Sequence, residues 1–235
     1  VNVVGLFHII DPKKIYLKAL VSCFFVGVSF FIFSGENHID LPYPYDTITV
    51  LPFNGAGHFG EVQAIGLSFL IKKYKPKIVV EIGSYLGSST RYIAKLLPEQ
   101  GLVYAVDHWL GNKEWENRPN YEEMQSLFYQ QFLSNVIHEK LCHKIIPMKM
   151  TSLEAAKIIK AMPDLVFIDG SHDYQSVYED ISAWYSHVKD HGVLCGDDYS
   201  WGSSKSVKRA VDKFAKENNL NVKLIANWFW YYEKK

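Results

Sequence analysis

From Pro76 onward the chain repeats a pattern that few architectures can satisfy: a short apolar run, a turn, then a stretch of helical periodicity. The strand-like runs lie at residues 77–82 (KIVVEI), 102–106 (LVYAV), 144–148, 164–168 (DLVFI) and 192–195. Helical stretches follow at 88–97, 121–137, 152–161, 174–188 and 203–218. Strands that alternate with helices imply a parallel sheet covered on both faces, and near-continuous apolar strands fit that double burial. Residues 221–226 and 228–232 read as a closing antiparallel hairpin. The predicted fold class is therefore α/β, a doubly wound, mostly parallel sheet with helices on both faces.

The preceding part of the chain is organised differently. Residues 19–35 carry no charge and follow Lys13, Lys14 and Lys18. Basic then apolar is the order of an anchor, so residues 15–35 offer a membrane-associating segment. A helix packed on the domain or in a homo-oligomer is the other reading. The expected division is 1–40 for this segment, 41–76 for a linker and helix, and 77–235 for the main domain. Within the linker, residues 47–51 (TITVL) form a β-branched run, and 61–74 reads as a helix that Pro76 stops.

With 25 Lys+Arg against 25 Asp+Glu there is no net charge, and no basic stripe points to nucleic acid. The three cysteines, Cys23, Cys142 and Cys195, are widely spaced and form no C-x-x-C. They argue against a disulfide framework or zinc site and fit a reducing compartment.

Two glycine loops compete for the role of ligand loop. Gly55-Ala56-Gly57-His58-Phe59-Gly60 is a literal G-x-G-x-x-G after a strand-like run, which would suit a nicotinamide dinucleotide. However, Pro52 and Asn54 separate that run from the glycines. The second loop runs Glu81-Ile82-Gly83-Ser84-Tyr85-Leu86-Gly87-Ser88. An acid ends the strand, Gly83 permits close backbone approach, and Gly87 relieves the turn into a helix. The next strand ends at Asp107, where a carboxylate can accept both ribose hydroxyls.

Ligands in such sheets bind beyond the carboxyl ends of the strands. There the chain places Asp169 (DLVFIDGSHDY) and the pair Asp197-Asp198 (GVLCGDDYS). Three crowded carboxylates repel unless a cation or protons neutralise them. As hard oxygen donors they suit Mg2+ or a similar divalent ion. His172, three residues after Asp169, is a candidate general base. The competing reading makes Asp169 a helix cap and His172 a loop residue.

The stretch from Glu81 to Ser88 resembles motif I of class I S-adenosylmethionine-dependent methyltransferases, and Asp107 matches that family's second-strand acid. Asp169 with Asp197-Asp198 is similar to the metal site of the catechol and macrolide-sugar O-methyltransferases. Asp107-His108-Trp109-Leu110-Gly111 and Asp169-Gly170-Ser171-His172-Asp173-Tyr174 look like a bacterial small-molecule group. The resemblance covers residues 77–235 and implies a Rossmann-like methyltransferase fold. It implies that S-adenosylmethionine contacts Glu81, Gly83, Ser84, Gly87, Ser88, Asp107, His108, Trp109, Thr151, Ser152 and Asp169. It further implies Asp169, Asp197 and Asp198 as metal ligands, with Asp169 and His172 catalytic. A His where the catechol enzymes hold Lys favours a sugar or other alcohol as the small-molecule acceptor. Ser152 also reads as a helix N-cap, and Trp109, Tyr199 and Trp201 as pocket wall or core. The expected activity is metal-assisted O-methylation. An NAD(P)-dependent oxidoreductase using the Gly55 loop and a non-catalytic nucleotide-binding module are the alternatives.

Overall fold

In the computed structural model, which describes residues 40–57, 59–111 and 120–235, seven strands form one sheet. The strands are β1 (Ile78–Ile82), β2 (Leu102–Asp107), β3 (Ile145–Lys149), β4 (Leu165–Ile168), β5 (Val193–Gly196), β6 (Lys223–Ile225) and β7 (Phe229–Glu233). Their order is β3-β2-β1-β4-β5-β7-β6. β1 to β5 run parallel, and β7 lies antiparallel to both β5 and β6. The strand order reverses between β1 and β4, which opens a crevice at their carboxyl ends. The expected architecture is the observed one.

Period-two geometry divides the strand residues between two cores. Val79, Val103, Ala105, Leu165, Phe167 and Val193 face one side, against α1 (Glu61–Tyr74), α2 (Ser88–Leu96) and α3 (Tyr121–His138). Val80, Ile82, Val106, Val166, Ile168 and Leu194 face the other, against α4 (Ser152–Ile158), α5 (Tyr174–Tyr185) and α6 (Ser206–Glu217). α4 ends at Ile158, short of residue 161, because Ile159 is already extended and Pro163 disfavours continuation.

One strand-like run forms no strand. Residues 45–47 make a 3-10 turn, and the chain from Ile48 continues extended without pairing to the sheet. Its backbone is taken up instead by side chains of α3. Gln130 and Gln131 donate to the carbonyls of Thr49 and Pro52 at 2.7 and 2.9 Å. The Leu51 and Asn54 amides donate to Ser134 Oγ and Asn135 Oδ1, both at 2.9 Å. A buried or half-buried backbone group needs a partner, and here a helix face supplies it. The apolar segment at 15–35 lies outside the described residues. Among the described residues no helix is long and apolar enough to cross a membrane.

Candidate active site

A cleft of about 570 Å³ opens at the carboxyl ends of β1, β2, β3, β4 and β5. Its floor is the turn after β1. Gly83 has φ of +91°, and a Cβ there would collide with the Asp169 carbonyl and the Gly170 Cα. Only glycine allows the β1 and β4 loops to touch in this way. Gly87, at φ +80°, starts α2 against the Phe132 ring. Ser84 and Ser88 line the cleft, whereas Glu81 and Gly87 do not. Glu81 is fully buried and accepts hydrogen bonds from Ser84 Oγ (2.8 Å) and Thr90 Oγ1. Burial raises its pKa, and these hydroxyls partly offset the rise. The motif's acid therefore braces the loop from beneath.

Asp107 ends β2 on the cleft wall. Its Oδ2 accepts the Tyr85 amide at 2.8 Å and its Oδ1 the Trp109 amide at 2.6 Å. A carboxylate offers about four lone-pair positions, so capacity remains for ligand hydroxyls. His108 is exposed on the same wall. Trp109 is buried and also borders the cleft: its indole donates to the Tyr85 carbonyl at 2.6 Å and packs on Tyr129 and Phe132. Tyr199 is likewise buried, its hydroxyl bonded to Asp212 at 2.7 Å. Trp201 does line the cleft, with its ring 4.6 Å from that of His172. Tyr85, Trp109 and Asp198 adopt left-handed φ of 43°, 54° and 60°. All three belong to the cleft, whereas other left-handed residues, such as Lys75 and Asn227, do not.

After β3, Thr151 and Ser152 line the cleft. Thr151, not Ser152, caps α4, accepting the Glu154 amide at 3.3 Å. Ser152 Oγ instead accepts the Trp184 indole N–H at 2.9 Å. This one-residue difference follows from where the chain turns helical: Thr151 is still extended.

The acid cluster forms, with one change of membership. Single donor atoms of Asp169, His172 and Asp198 all lie within 4.8 Å of one another. His172 Nε2 is 2.8 Å from Asp198 Oδ2. Asp197 is not in this group, contrary to the sequence expectation. Its side chain is buried, and its Oδ1 has no partner among the described residues. Asp197 and Asp198 both line the cleft, but it is Asp198, at a left-handed φ of 60°, whose carboxylate joins Asp169 and His172. Burial and the adjacent Asp198 charge push the Asp197 pKa up to about 7. Burial, then the charges of Asp197, Asp198 and Glu81, holds Asp169 well above the usual range.

Asp169 is not the cap of α5. Asp173 fills that role, accepting the Ser176 amide at 3.0 Å and Ser171 Oγ at 2.6 Å. Burial opposes ionisation of Asp173, but these bonds win and lower its pKa to about 2. Asp169 is thereby left to the cleft, where Gln63 Nε2 of α1 donates to its Oδ2 at 3.1 Å. Gln63 also accepts the Gly60 amide at 2.5 Å. Sequence reasoning missed Gln63. The only available signal was a glutamine just inside a helix that follows a glycine loop.

That Gly55 loop is not a dinucleotide turn. No strand precedes it among the described residues, and its last glycine merely begins α1. Gly57 and Phe59 of this loop line the cleft, and the Ala56 carbonyl accepts Ser88 Oγ at 3.4 Å. The turn after β1 lines the cleft with Gly83, Ser84, Tyr85 and Leu86.

The methyltransferase domain family matches residues 80–199, just over half of the chain. No curated protein matches the sequence. Among solved structures, the fold is similar to the O-methyltransferase TomG of Streptomyces achromogenes, in complex with S-adenosylmethionine. That match has TM-score 0.59 and 14% identity, over 76% of this chain and 82% of that one. An O-methyltransferase of Bacillus cereus, in complex with S-adenosylhomocysteine, gives TM-score 0.57 and 15% identity over 76% and 84%. A methyltransferase of Geobacter sulfurreducens gives 0.53 and 11% over 75% and 80%. The matched segment runs from β1 through the residues after β5 and includes Glu81, Asp107, Asp169, Asp197 and Asp198. By family and by fold, the chain belongs to the class I S-adenosylmethionine-dependent methyltransferases of the methyltransferase domain family.

Proposed function

We propose that this protein transfers the methyl group of S-adenosylmethionine to a hydroxyl oxygen of a small molecule, assisted by a divalent cation such as Mg2+. The observation that carries the reading is convergence. The Gly83 turn and Asp107 share one cleft with Asp169, His172 and Asp198. The O-methyltransferases among the structural neighbours support an oxygen acceptor.

A cation fits these residues. Asp169, His172 and Asp198 place donor atoms within 4.8 Å of one another, and the charges of Asp197 and Asp198 add to burial in raising the Asp169 pKa. Uncompensated negative charge of this kind is relieved by a hard cation. Asp169 and Asp198 would hold it, and it would supply Lewis-acid polarisation of the acceptor hydroxyl. Asp107 would anchor the ribose, with His108, Thr151 and Ser152 beside it. As the carbon–oxygen bond forms, the sulfonium C–S bond breaks and its electron pair returns to sulfur, giving S-adenosylhomocysteine. His172, oriented by Asp198, takes the acceptor's proton. Trp201 then walls the acceptor side. An imidazole in this role suits a sugar or other alcohol, and the cytoplasm is where such a donor is made.

A second reading follows from the 4.8 Å grouping, in which His172 is itself a ligand. Calorimetric titration separates the cases. S-adenosylhomocysteine should bind and NAD should not, and EDTA should abolish turnover while sparing cofactor binding. Full turnover in EDTA overturns the metal. Loss of Mg2+ binding in His172→Ala would make the histidine a ligand; retained binding with lost turnover makes it the base.

A further inference from the structure

Gln63 is held in one orientation by the start of its own helix. It is the third residue of α1, and its Oε1 accepts the amide of the N-cap, Gly60, at 2.5 Å. Reaching back in this way satisfies one of the amides that a first helical turn leaves over. With Oε1 engaged by a donor, Nε2 must point away from Gly60, because the flipped amide would set N–H against N–H. The side chain is 5% exposed, so its N–H donors need acceptors within the protein. They find carboxylates. Nε2 donates to Asp169 Oδ2 at 3.1 Å, and Asp197 is a second hydrogen-bond partner of the same side chain.

Capping alone does not call for an amide here. The cap uses only the oxygen, and a glutamate would serve it equally. A glutamate could not donate to neighbouring acids, and a lysine would neutralise the charge that a cation needs. A neutral side chain with an acceptor at one corner and donors at the other fits between the Gly60 amide and the two carboxylates. A donor fixed on one carboxylate oxygen sets the plane of the group and leaves the lone pairs of the other for a metal. We propose that Gln63 is a positioning residue for the metal site: its amide holds Asp169 in the orientation from which that carboxylate coordinates a divalent cation. The role rests on the metal-assisted reading and adds to it the residue that prepares one of its ligands. That residue comes from outside the segment the family shares, residues 80–199, so α1 contributes to the site from beyond the matched domain.

The probe is Mn2+, titrated calorimetrically into the full-length protein saturated with S-adenosylhomocysteine. Gln63→Met keeps the length of the side chain and removes both donor and acceptor. Its Mn2+ affinity should fall about 10- to 100-fold, the loss usual when a metal ligand's hydrogen-bond partner is removed. Its affinity for S-adenosylhomocysteine, measured without metal, should change far less. Asn54→Ala is the control for the Gly55–Gly60 loop. Asn54 Oδ1 accepts the Ala56 amide at 2.9 Å, so this variant loosens the loop while sparing Gln63. It should bind Mn2+ as wild type does. Wild-type Mn2+ affinity in Gln63→Met would overturn the proposal. So would parallel losses of Mn2+ and S-adenosylhomocysteine, which would make Gln63 a structural residue, or an Asn54→Ala variant as weak toward Mn2+ as Gln63→Met. Should Gln63→Met not fold, Gln63→Asn decides. It keeps the amide but draws it back by one methylene, so its Mn2+ affinity should also fall, and an unchanged affinity would overturn the proposal. Wild type that binds S-adenosylhomocysteine but no Mn2+ would sink the metal-assisted reading itself, an outcome distinct from Mn2+ binding that ignores Gln63.

Discussion

His172 Nε2 lies 2.8 Å from Asp198 Oδ2, across two loops that leave different strands. The carboxylate fixes the imidazole's orientation, and the Trp201 ring covers one of its faces. An oriented imidazole beside an acceptor is the arrangement a proton transfer needs. His172→Ala should therefore lower kcat by about 10²–10⁴-fold while S-adenosylhomocysteine affinity stays near wild type. Near wild-type kcat in that variant would remove His172 from the proton-transfer role.

Asp107 serves two masters, the backbone amides of Tyr85 and Trp109 and, in the proposed function, the ribose. Asp107→Ala should weaken S-adenosylhomocysteine by about 1–3 kcal/mol, because ligand hydroxyls lose their acceptor. It should also lower the melting temperature of the ligand-free protein, since two loop amides lose theirs. A ligand loss with no change in melting would show that the amide bonds contribute nothing.

Gly83 and Gly202 make a matched pair. Both have positive φ, +91° and +67°, but a Cβ at Gly83 meets backbone whereas one at Gly202 meets nothing within 4 Å. Gly202→Ala should cost about 1 kcal/mol of backbone strain and leave activity intact. Gly83→Ala must separate the β1 and β4 loops, so cofactor binding should fail outright. Denaturant midpoints and calorimetry on both variants check this. Equal behaviour of the two would mean that the loop contact has no bearing on the site.

Asp164 gives a pH dependence whose sign can be fixed. Its Oδ2 accepts the amides of Lys77 and Ile78 at 2.8 Å, and Oδ1 pairs with Lys189 at 2.7 Å. Burial works against its charge, but Lys189 and the two amides outweigh it and lower the pKa. The folded value is thus below the unfolded one of roughly 3.9. The stabilisation is fully present above the unfolded value and is lost as pH falls through the folded one. Asp164→Asn should lower the urea midpoint at pH 7 and flatten its decline below about pH 4. An unchanged acid limb would contradict this.

The alternation of strands and helices was legible because β1, β4 and β5 are buried on both faces, which forces continuous apolar runs. The acids at their carboxyl ends were legible for the same reason: a strand's end fixes where the next residue stands. Which acid joins His172 was not. That depends on the left-handed turn at Asp198, and an aspartate does not announce such a conformation in its neighbours. Gln63 was illegible because its partner, Asp169, lies 106 residues away. Residues 47–51 misled because their composition suits a strand, while the groups that satisfy their backbone sit on a helix some 80 residues later.

The segment from Thr49 to Asn54 is gripped largely by its main chain: Val50 is substantially exposed while neighbouring carbonyls and amides are held, and Phe53 adds a ring contact to His138 and Arg91. Such a grip is indifferent to side-chain identity wherever only the main chain is held, so those positions are free to vary in sequence without losing their place. The exceptions are Leu51 and Asn54, whose amide hydrogens a proline would remove. Asn135 adds a mechanical consequence. Its single amide donates both to the Asn54 carbonyl and to the Leu86 carbonyl of the cofactor turn, at 2.8 and 2.9 Å. The segment and the turn hang from one nitrogen, so a force that lifts the first is transmitted to the second.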